Sequence, residues 1–254
     1  MNYFTLDGHS TTEWGIGLSA GGAFDAPARK GEFISVPGRS GDIWVDGGAY
    51  ENTLLTYPCW MSQGFSTEVD DFRGFLLAHA DKYYRLSDTY HPGEYRFAKY
   101  TGDFIATPGA ANQSGRFDVT FSCQPQRWLT SGNTYQTLSA TTSITNPTSY
   151  KAFPKLRITS ASGDYSFTFN TELSGSLYLS TITINFTGLT GTIYFDFATM
   201  TASRMDGGKV INLSYTVDYS YDLHNGEFAL WPGSNEIRYT GAGTCSIAPR
   251  WWTV

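Results

Sequence analysis

The strongest constraint on this chain is a strict two-residue alternation of apolar side chains in its second half. The alternating positions are Tyr165, Phe167 and Phe169, then Leu177 and Leu179, then Ile182, Ile184 and Phe186, and finally Ile193, Phe195 and Phe197. Successive side chains of a β-strand point to opposite faces, so each run buries one face and exposes the other. Gly, Ser, Asn and Asp separate the runs. The second half is therefore predicted to be an antiparallel β-sandwich.

The first half mixes strand patterns with one helical pattern. A helix is predicted near residues 66–84, where Thr67 and Asp70 form a candidate capping box. Its apolar stripe consists of Phe65, Val69, Phe72, Leu76 and Tyr83. Strands are expected at Asn2–Leu6, Glu32–Pro37, Asp42–Val45 and Asn52–Trp60, and at the alternating Phe117, Val119 and Phe121. One helix packed on a sheet predicts a β-rich α+β domain within a chain that is mainly β.

A change of composition marks the expected domain boundary. Residues 130–149 are rich in Ser, Thr and Asn, which is typical of a linker or an edge strand. We therefore expect an N-terminal domain over residues 1–135, a linker over 136–149 and the sandwich over 150–254. A length of 254 residues is compatible with one or two domains.

The composition also indicates a surface that partners cover. Aromatic residues make up 16% of the chain, and charged residues make up only 16%, which protects a surface poorly against association. The net charge of −6 and a pI of about 5.1 disfavour a dedicated nucleic-acid binder. No apolar run is long enough to span a bilayer, and MNYFTLDGHSTTEW lacks the basic and apolar stretches of a secretion signal.

Residues 33–60 contain a glycine-rich loop, PGRSGD, that could be mistaken for a phosphate-binding loop. A P-loop requires Lys before Ser or Thr and leads into a helix, whereas this loop lacks Lys and leads into the strand-like IWV. Pro37–Gly38 and Ser40–Gly41 favour tight turns, and Asp46–Gly47–Gly48 favours a second reversal. The region is therefore predicted to be a protruding arm. Its apolar side chains are Phe33, Trp44, Tyr50, Leu55, Tyr57 and Trp60.

Motifs for catalysis, metal binding or cofactor binding are missing from the sequence. The four His residues are scattered singly, and Cys59, Cys123 and Cys245 form no Cys-x-x-Cys pair, so we expect buried, reduced thiols. No G-x-S-x-G motif occurs. Pairs of carboxylates, which a glycosidase requires, could be chosen from the 23 acidic residues of this chain, but any chain with so many acids would allow that. We therefore expect neither an enzyme nor a cofactor.

A carbohydrate-binding adhesion module that recognises host cell-wall sugars is the alternative function. Trp231, Trp251 or Tyr178 could stack on sugar rings if they are exposed on the sandwich. The competing role for these aromatic residues is core packing or contact between domains.

A series of segments in fixed order carries a family resemblance. The segments are VPGRSGDIWVDGGAYEN, YRLSDTYHPGEYRFAKY, FDVTFSCQPQRW, FPKLRIT, FDFATMTASRMDGGKVINLS, FALWPGSNEIRYTG and PRWWTV. This series resembles the distal tail (Dit) proteins of long, non-contractile-tailed phages, and it covers nearly the whole chain. The resemblance implies an N-terminal ring-forming domain with an arm, followed by a galectin-like C-terminal sandwich.

The same resemblance implies a structural protein of the virion, located at the tip of a siphophage tail and made in the bacterial host cytoplasm. Such proteins form a ring, usually a hexamer, that joins the tail tube protein to the tip, baseplate or fibre protein. DNA passes through the channel without specific binding, and no membrane contact is implied. The arm is implied to reach a neighbouring subunit, with Arg39, Trp44, Tyr50 and Asn52 as candidate interface residues.

Overall fold

A computed structural model describes residues 1–19, 24–159, 163–173, 176–186, 191–221 and 228–254. Within these residues, the side chains at 110, 171–173, 176–180 and 217–221 are not described. The chain divides into two compact units, Met1–Arg127 with Val254, and Trp128–Thr253. Strands dominate both units, which confirms a mainly β fold.

The first unit is built on an antiparallel sheet. Its elements are β1 (Phe4–Leu6), β2 (His9–Ser10), β3 (Ile16–Leu18), β4 (Arg29–Ile34), β5 (Ile43–Tyr50), β6 (Thr53–Met61), α1 (Phe65–Ala78), β7 (Tyr84–Asp88), β8 (Glu94–Tyr100), β9 (Ala106–Pro108) and β10 (Gly115–Cys123), with short 3-10 helices at Thr11–Trp14 and Ala110–Asn112. The strand order is β2-β1-β7-β8-β10-β6-β3, and β9 pairs with β10. Strands β4 and β5 form a separate two-stranded sheet.

Helix α1 packs the predicted apolar stripe into the core of the first unit. Phe65, Val69, Phe72 and Leu76 are all buried, as their spacing predicts. The helix ends at Ala78, so the prediction that it extends to residue 84 and includes Tyr83 is wrong. Tyr83 lies in the connection between α1 and β7, and β7 begins at Tyr84.

The predicted capping box at the start of α1 is also wrong. Gly64 is the N-cap, in the left-handed region at φ 70°, and it has no side chain to accept a hydrogen bond. The Thr67 hydroxyl instead donates to the Gly64 carbonyl oxygen at 3.0 Å. Thr67 therefore lies inside the first turn rather than before it.

Strands β6 and β10 form the centre of the sheet. They pair along their full length, from Gly115 opposite Met61 to Cys123 opposite Thr53. Phe117, Val119 and Phe121 face the core, as their alternation predicts. Leu55 and Tyr57 on β6 are buried in the same core, so the prediction that the arm extends to residue 60 is wrong. The arm is confined to β4 and β5.

The second unit is a sandwich of two antiparallel sheets. Its strands are β12 (Gln136–Thr137), β13 (Thr141–Asn146), β14 (Lys155–Thr159), β15 (Asp164–Leu173), β16 (Ser176–Asn185), β17 (Ile193–Asp196), β18 (Thr201–Asp206), β19 (Lys209–Leu213), β20 (Thr216–Tyr221), β21 (Gly233–Thr240) and β22 (Thr244–Ala248), with a 3-10 helix at Thr130–Asn133. Two short strands, β11 (Arg127–Leu129) and β23 (Trp252–Thr253), pair with each other and belong to neither sheet of the sandwich. A six-stranded sheet has the order β12-β22-β14-β17-β18-β19, and a five-stranded sheet has the order β13-β21-β15-β16-β20.

The two sheets of the sandwich enclose one core. This core contains most of the apolar residues that the alternation predicts to be buried. They are Tyr165, Phe167 and Phe169 on β15, Ile182 and Ile184 on β16 with the following Phe186, and Ile193 and Phe195 on β17 with the following Phe197. Leu177 and Leu179 have side chains outside the described part of the chain. Because both inner faces supply apolar side chains, neither sheet could be stable without the other.

The predicted linker over residues 136–149 is wrong. Strand β12 pairs with β22, and β13 pairs with β21 along its whole length. Both are edge strands of the sandwich, which explains their Ser- and Thr-rich composition. The units divide between Arg127 and Trp128, ahead of the predicted boundary.

The cysteines are buried and free, as expected. Burial raises the pKa of the Cys59 thiol, and it raises the pKa of Cys123 and Cys245 to about 12. In the described part of the chain, no helix has the length and hydropathy needed to cross a bilayer.

Replacing Gly115 should destabilise the first unit. A Cβ at this position would lie 2.0 Å from Cε2 of the buried Phe65 ring, which has little room to move. Gly115→Ala is therefore expected to lower the free energy of unfolding by about 1–3 kcal/mol. Chemical denaturation followed by far-UV circular dichroism measures this change.

Gly74→Ala is the matched control, because Gly74 lies on the exposed side of α1 and a methyl group added there would meet no heavy atom within 4 Å outside the backbone of its own helix. Higher helix propensity should raise stability there by up to about 1 kcal/mol. Equal stability of Gly115→Ala and the parent chain would contradict the packing described for Phe65.

Candidate functional site

The candidate site is the arm formed by β4 and β5 together with the turn between them. The Arg39 backbone N–H donates to the Val36 carbonyl at 3.1 Å, which closes a four-residue turn. Pro37 and Gly38 are its central residues, and Gly38 has φ 80°, as a type II turn requires. The predicted turn at PGRSGD is confirmed. Because the loop leads into strand β5, no helix N-terminus is available there to hold phosphate.

Apolar side chains are exposed on both faces of the arm. Phe33 lies opposite Trp44, with ring centroids 4.7 Å apart, and the two side chains are 70% and 42% exposed. The other face carries Ile34 opposite Ile43, followed by Val45, and these side chains are 37–44% exposed. A two-stranded ribbon without a core behind it is marginally stable in water. The arm therefore offers one aromatic and one aliphatic surface for association.

An ion pair fixes the base of the arm. The Arg29 guanidinium donates to both carboxylate oxygens of Asp46, at 2.6–3.0 Å, and lies 5.0 Å from the centre of the Tyr50 ring. The Arg29 hydrogen bonds, and then the backbone N–H of Gly48, lower the pKa of Asp46. Both charged side chains are partly exposed, so the pair contributes little to stability. Its main effect is to fix the position of β4 relative to β5 at the base of the arm.

The predicted reversal at Asp46–Gly47–Gly48 is wrong. All three residues lie within β5, where the register shifts between Arg29 and Gly31 on the opposite strand. The glycines accommodate this bulge, and Gly48 takes φ 71°. A bulge increases local twist, so these residues bend the arm near its base rather than reversing the chain.

The structure places the four predicted interface residues at different levels of the arm. Arg39 is exposed in the turn, Trp44 is exposed on the aromatic face, and Tyr50 is half-buried beneath Arg29. Asn52 lies past the end of β5, where its amide group donates to the Tyr83 hydroxyl at 2.6 Å and to Ser122 Oγ at 3.0 Å. Asn52 thus anchors the arm to the body, and the interface role of all four stays a prediction.

The aliphatic face was missed by sequence reasoning. Ile34, Ile43 and Val45 are apolar and alternate with Phe33 and Trp44, so both faces of each strand are apolar. That pattern is typical of a strand buried on both faces. It could have indicated an arm that is covered on both sides in an assembly.

The predicted sugar-stacking residues differ in exposure. Trp251 is 5% exposed and belongs to the core of the sandwich, so its proposed exposure is wrong. Trp231 is half-buried, with Lys151 Nζ 5.6 Å from its ring centre. The side chain of Tyr178 lies outside the described residues.

Comparison with known proteins adds the decisive observation. The SPP1 Dit protein, described as a hub of the adsorption apparatus in phages that infect Gram-positive bacteria, aligns over 100% of both chains with a TM-score of 0.65 and 14% identity. The chain has the fold of SPP1 Dit. A chain of the phage P2 baseplate in its activated conformation with Ca aligns over 97% of each chain, with a TM-score of 0.51 and 12% identity.

The overall β-rich fold expected from the sequence resemblance to Dit proteins is therefore confirmed. No protein-family model matches the sequence, and no curated protein matches it significantly. Because fold is retained at this low identity while most residues differ, the agreement concerns architecture rather than particular side chains.

Breaking the Arg29–Asp46 pair should loosen the arm. In Asp46→Asn, chymotrypsin is expected to cleave after Phe33 or Trp44 about two- to fivefold faster in dilute protein, because the ribbon opens more often. Mass spectrometry of the first fragments measures these rates. Asp42→Asn is the control, since Asp42 lies on the same arm and the described structure shows no ion pair for it.

The contribution of the Arg29–Asp46 pair to the stability of the arm also depends on pH. Because the folded-state pKa of Asp46 is lowered, the contribution is present above the ordinary aspartate pKa of about 3.9 and is lost as pH falls through the lowered value. An acid-stable protease should therefore cleave the arm of the parent protein and the arm of Asp46→Asn at equal rates once Asp46 is protonated. Equal cleavage rates of the parent protein, Asp46→Asn and Asp42→Asn at neutral pH would show that the Arg29–Asp46 pair does not hold the two strands together.

Proposed function

We propose that this protein is a structural hub at the distal end of a phage tail. The observation that carries the proposal is its agreement in fold with SPP1 Dit over the full length of both chains. The match to a chain of the phage P2 baseplate supports it. By their descriptions, one matched protein belongs to a phage adsorption apparatus and the other to a phage baseplate, and the role passes to this chain by analogy of fold.

The exposed arm supports assembly into a ring. Identical subunits close a ring when each offers two different, complementary surfaces, because a self-complementary patch gives only pairs. The arm is one such surface, since it is apolar on both faces and lacks a core of its own. In the proposed ring it lies against the next subunit, which buries Phe33 and Trp44 as anchors. Six subunits around a channel is the stoichiometry we propose.

The charge of the chain suits a conduit for DNA. With a net charge of −6, a ring of several copies repels phosphate, so DNA would pass without being held. The proposed neighbours are the tail tube protein on one side and a tip or fibre protein on the other. The proposed location is therefore the tail tip of a siphophage virion.

A role without catalysis is part of this proposal. The thiols of Cys59, Cys123 and Cys245 are buried and have raised pKa values, which makes them poor nucleophiles. Among the described residues, no three His, Cys, Asp or Glu side chains cluster in a way that suits a metal ion. The proposed structural role thus needs no cofactor.

Assembly is tested by light scattering after size exclusion. We expect the parent protein to elute as an oligomer several times the chain mass of 28.1 kDa, and to appear as rings in negative-stain images. Trp44→Ala should weaken association by about tenfold or more, because exposed aromatic anchors contribute much of the binding energy at interfaces. Its circular dichroism should be unchanged, since Trp44 lies outside both cores.

Val210→Ala is the control for this experiment. Val210 is 66% exposed in the second unit, so the substitution removes an exposed apolar side chain that is not on the arm. A parent protein that stays monomeric at high concentration would overturn the proposed ring. Equal assembly of Trp44→Ala and Val210→Ala would instead move the interface away from the arm.

A further inference from the structure

The outer face of the six-stranded sheet carries cations next to aromatic rings, and the proposed hub role does not use them. On β14, Lys155 and Arg157 alternate with the buried Leu156 and Ile158, so both cations point away from the core. Tyr194 on β17 is the register partner of Arg157 and is also on the outer side. The cluster therefore lies across two neighbouring strands of one sheet.

Each cation of this cluster sits against a ring. Arg157 Cζ is 4.6 Å from the centre of the Tyr135 ring, and Lys155 Nζ is 5.9 Å from the centre of the Tyr194 ring. These contacts hold flexible side chains in place, and no side-chain hydrogen bond between described residues uses the N–H donors of Lys155 or Arg157. A preorganised guanidinium loses less conformational freedom when it binds an anion.

The charge on this face is unbalanced in favour of cations. Asp196 is the register partner of Lys155, but its carboxylate is paired with Arg250 Nη1 at 3.0 Å. Within the described residues, no carboxylate lies within ion-pair distance of Lys155 or Arg157. The five-stranded sheet differs, because its Arg238 is paired with Glu236 at 2.9 Å. A positive patch on a chain of net charge −6 favours an anionic ligand.

Space and hydrogen-bonding groups lie beside Tyr194. The row that contains Arg157 and Tyr194 continues across the sheet to Ser203 and Asn212. An open groove of about 430 Å³ begins at Tyr194 and is lined by Gly191, Thr192, Tyr194, Arg204, Met205 and Asp206. Hydroxyl and amide groups next to a ring suit a sugar, whose apolar face stacks on the ring while its hydroxyls form hydrogen bonds.

We propose that this face binds an acidic polysaccharide through Arg157, Lys155 and Tyr194. Arg157 and Lys155 receive the carboxylate or phosphate groups of the glycan, because a guanidinium matches the geometry of either anion. Tyr194 stacks on a sugar ring, and Ser203 and Asn212 form hydrogen bonds with the uncharged hydroxyl groups of the sugar. The site is separate from the arm, so glycan binding can fail while assembly succeeds, and the reverse also holds.

An acidic glycan fits this face better than DNA does. A duplex carries one negative charge per about 1.7 Å of axis, and its binding requires many cations to offset repulsion from an acidic chain. Two cations flanked by tyrosine rings suit a polymer whose charges are sparse and whose sugar faces are accessible. Nucleic acid is therefore an outcome that the experiment must separate.

The experiment measures affinity of the full chain for four probes in native gels that contain increasing polymer concentrations. The probes are polygalacturonate, a phosphomannan, neutral dextran and a single-stranded oligonucleotide. We expect retardation by at least one acidic glycan, and the first two probes distinguish carboxylate from phosphate as the recognised group. Dextran should cause none, and the oligonucleotide should bind at least about tenfold more weakly than the preferred glycan.

Substitutions locate the binding to this face. Arg157→Gln and Tyr194→Ala should each weaken glycan binding by about tenfold or more. Arg238→Gln changes the net charge of the chain equally but lies on the other sheet, so its affinity should stay within about twofold of the parent. Circular dichroism confirms that each variant is folded. Binding to neither acidic glycan, equal binding to the oligonucleotide, or equal loss in Arg157→Gln and Arg238→Gln would overturn the proposal.

Discussion

A two-stranded ribbon with apolar side chains on both faces is the constraint on which the proposed assembly depends. Phe33 and Trp44 cover each other only in part, and no layer of described residues covers the opposite face. In a single chain these surfaces would meet water and favour aggregation. Burial against neighbouring copies removes both problems at once. The low fraction of charged residues in the chain is consistent with a surface that is largely covered.

The body of the first unit determines where this ribbon starts and ends. Strand β6 follows the arm directly, and its pairing with β10 places Leu55 and Tyr57 in the core. Asn52 connects that junction to Tyr83 and Ser122, while Arg29 and Asp46 fix the two strands of the arm to each other. A contact surface carried on such a base is positioned before association, which lowers the entropy lost when a partner binds.

The two proposed surfaces use different chemistry, and this difference keeps them from competing. The arm is apolar on both faces, so its partner is a protein surface that can exclude water. The outer face of the sandwich carries Lys155 and Arg157 beside Tyr194, which suits a hydrated and charged polymer. A tail hub with both surfaces would assemble through the arm and bind an acidic polysaccharide through the outer face of the sandwich.

The sequence by itself determined the features that depend on neighbours along the chain: the alternation that buries β15 and β17, the apolar stripe of α1 and the turn at Pro37–Gly38. Only the tertiary structure decided that residues 53–61 leave the arm, that β12 and β13 are strands rather than linker, and that Tyr135 meets Arg157. Those outcomes depend on strand pairings between distant segments. A local pattern shows which face of a strand is apolar, but it does not show which strand covers it.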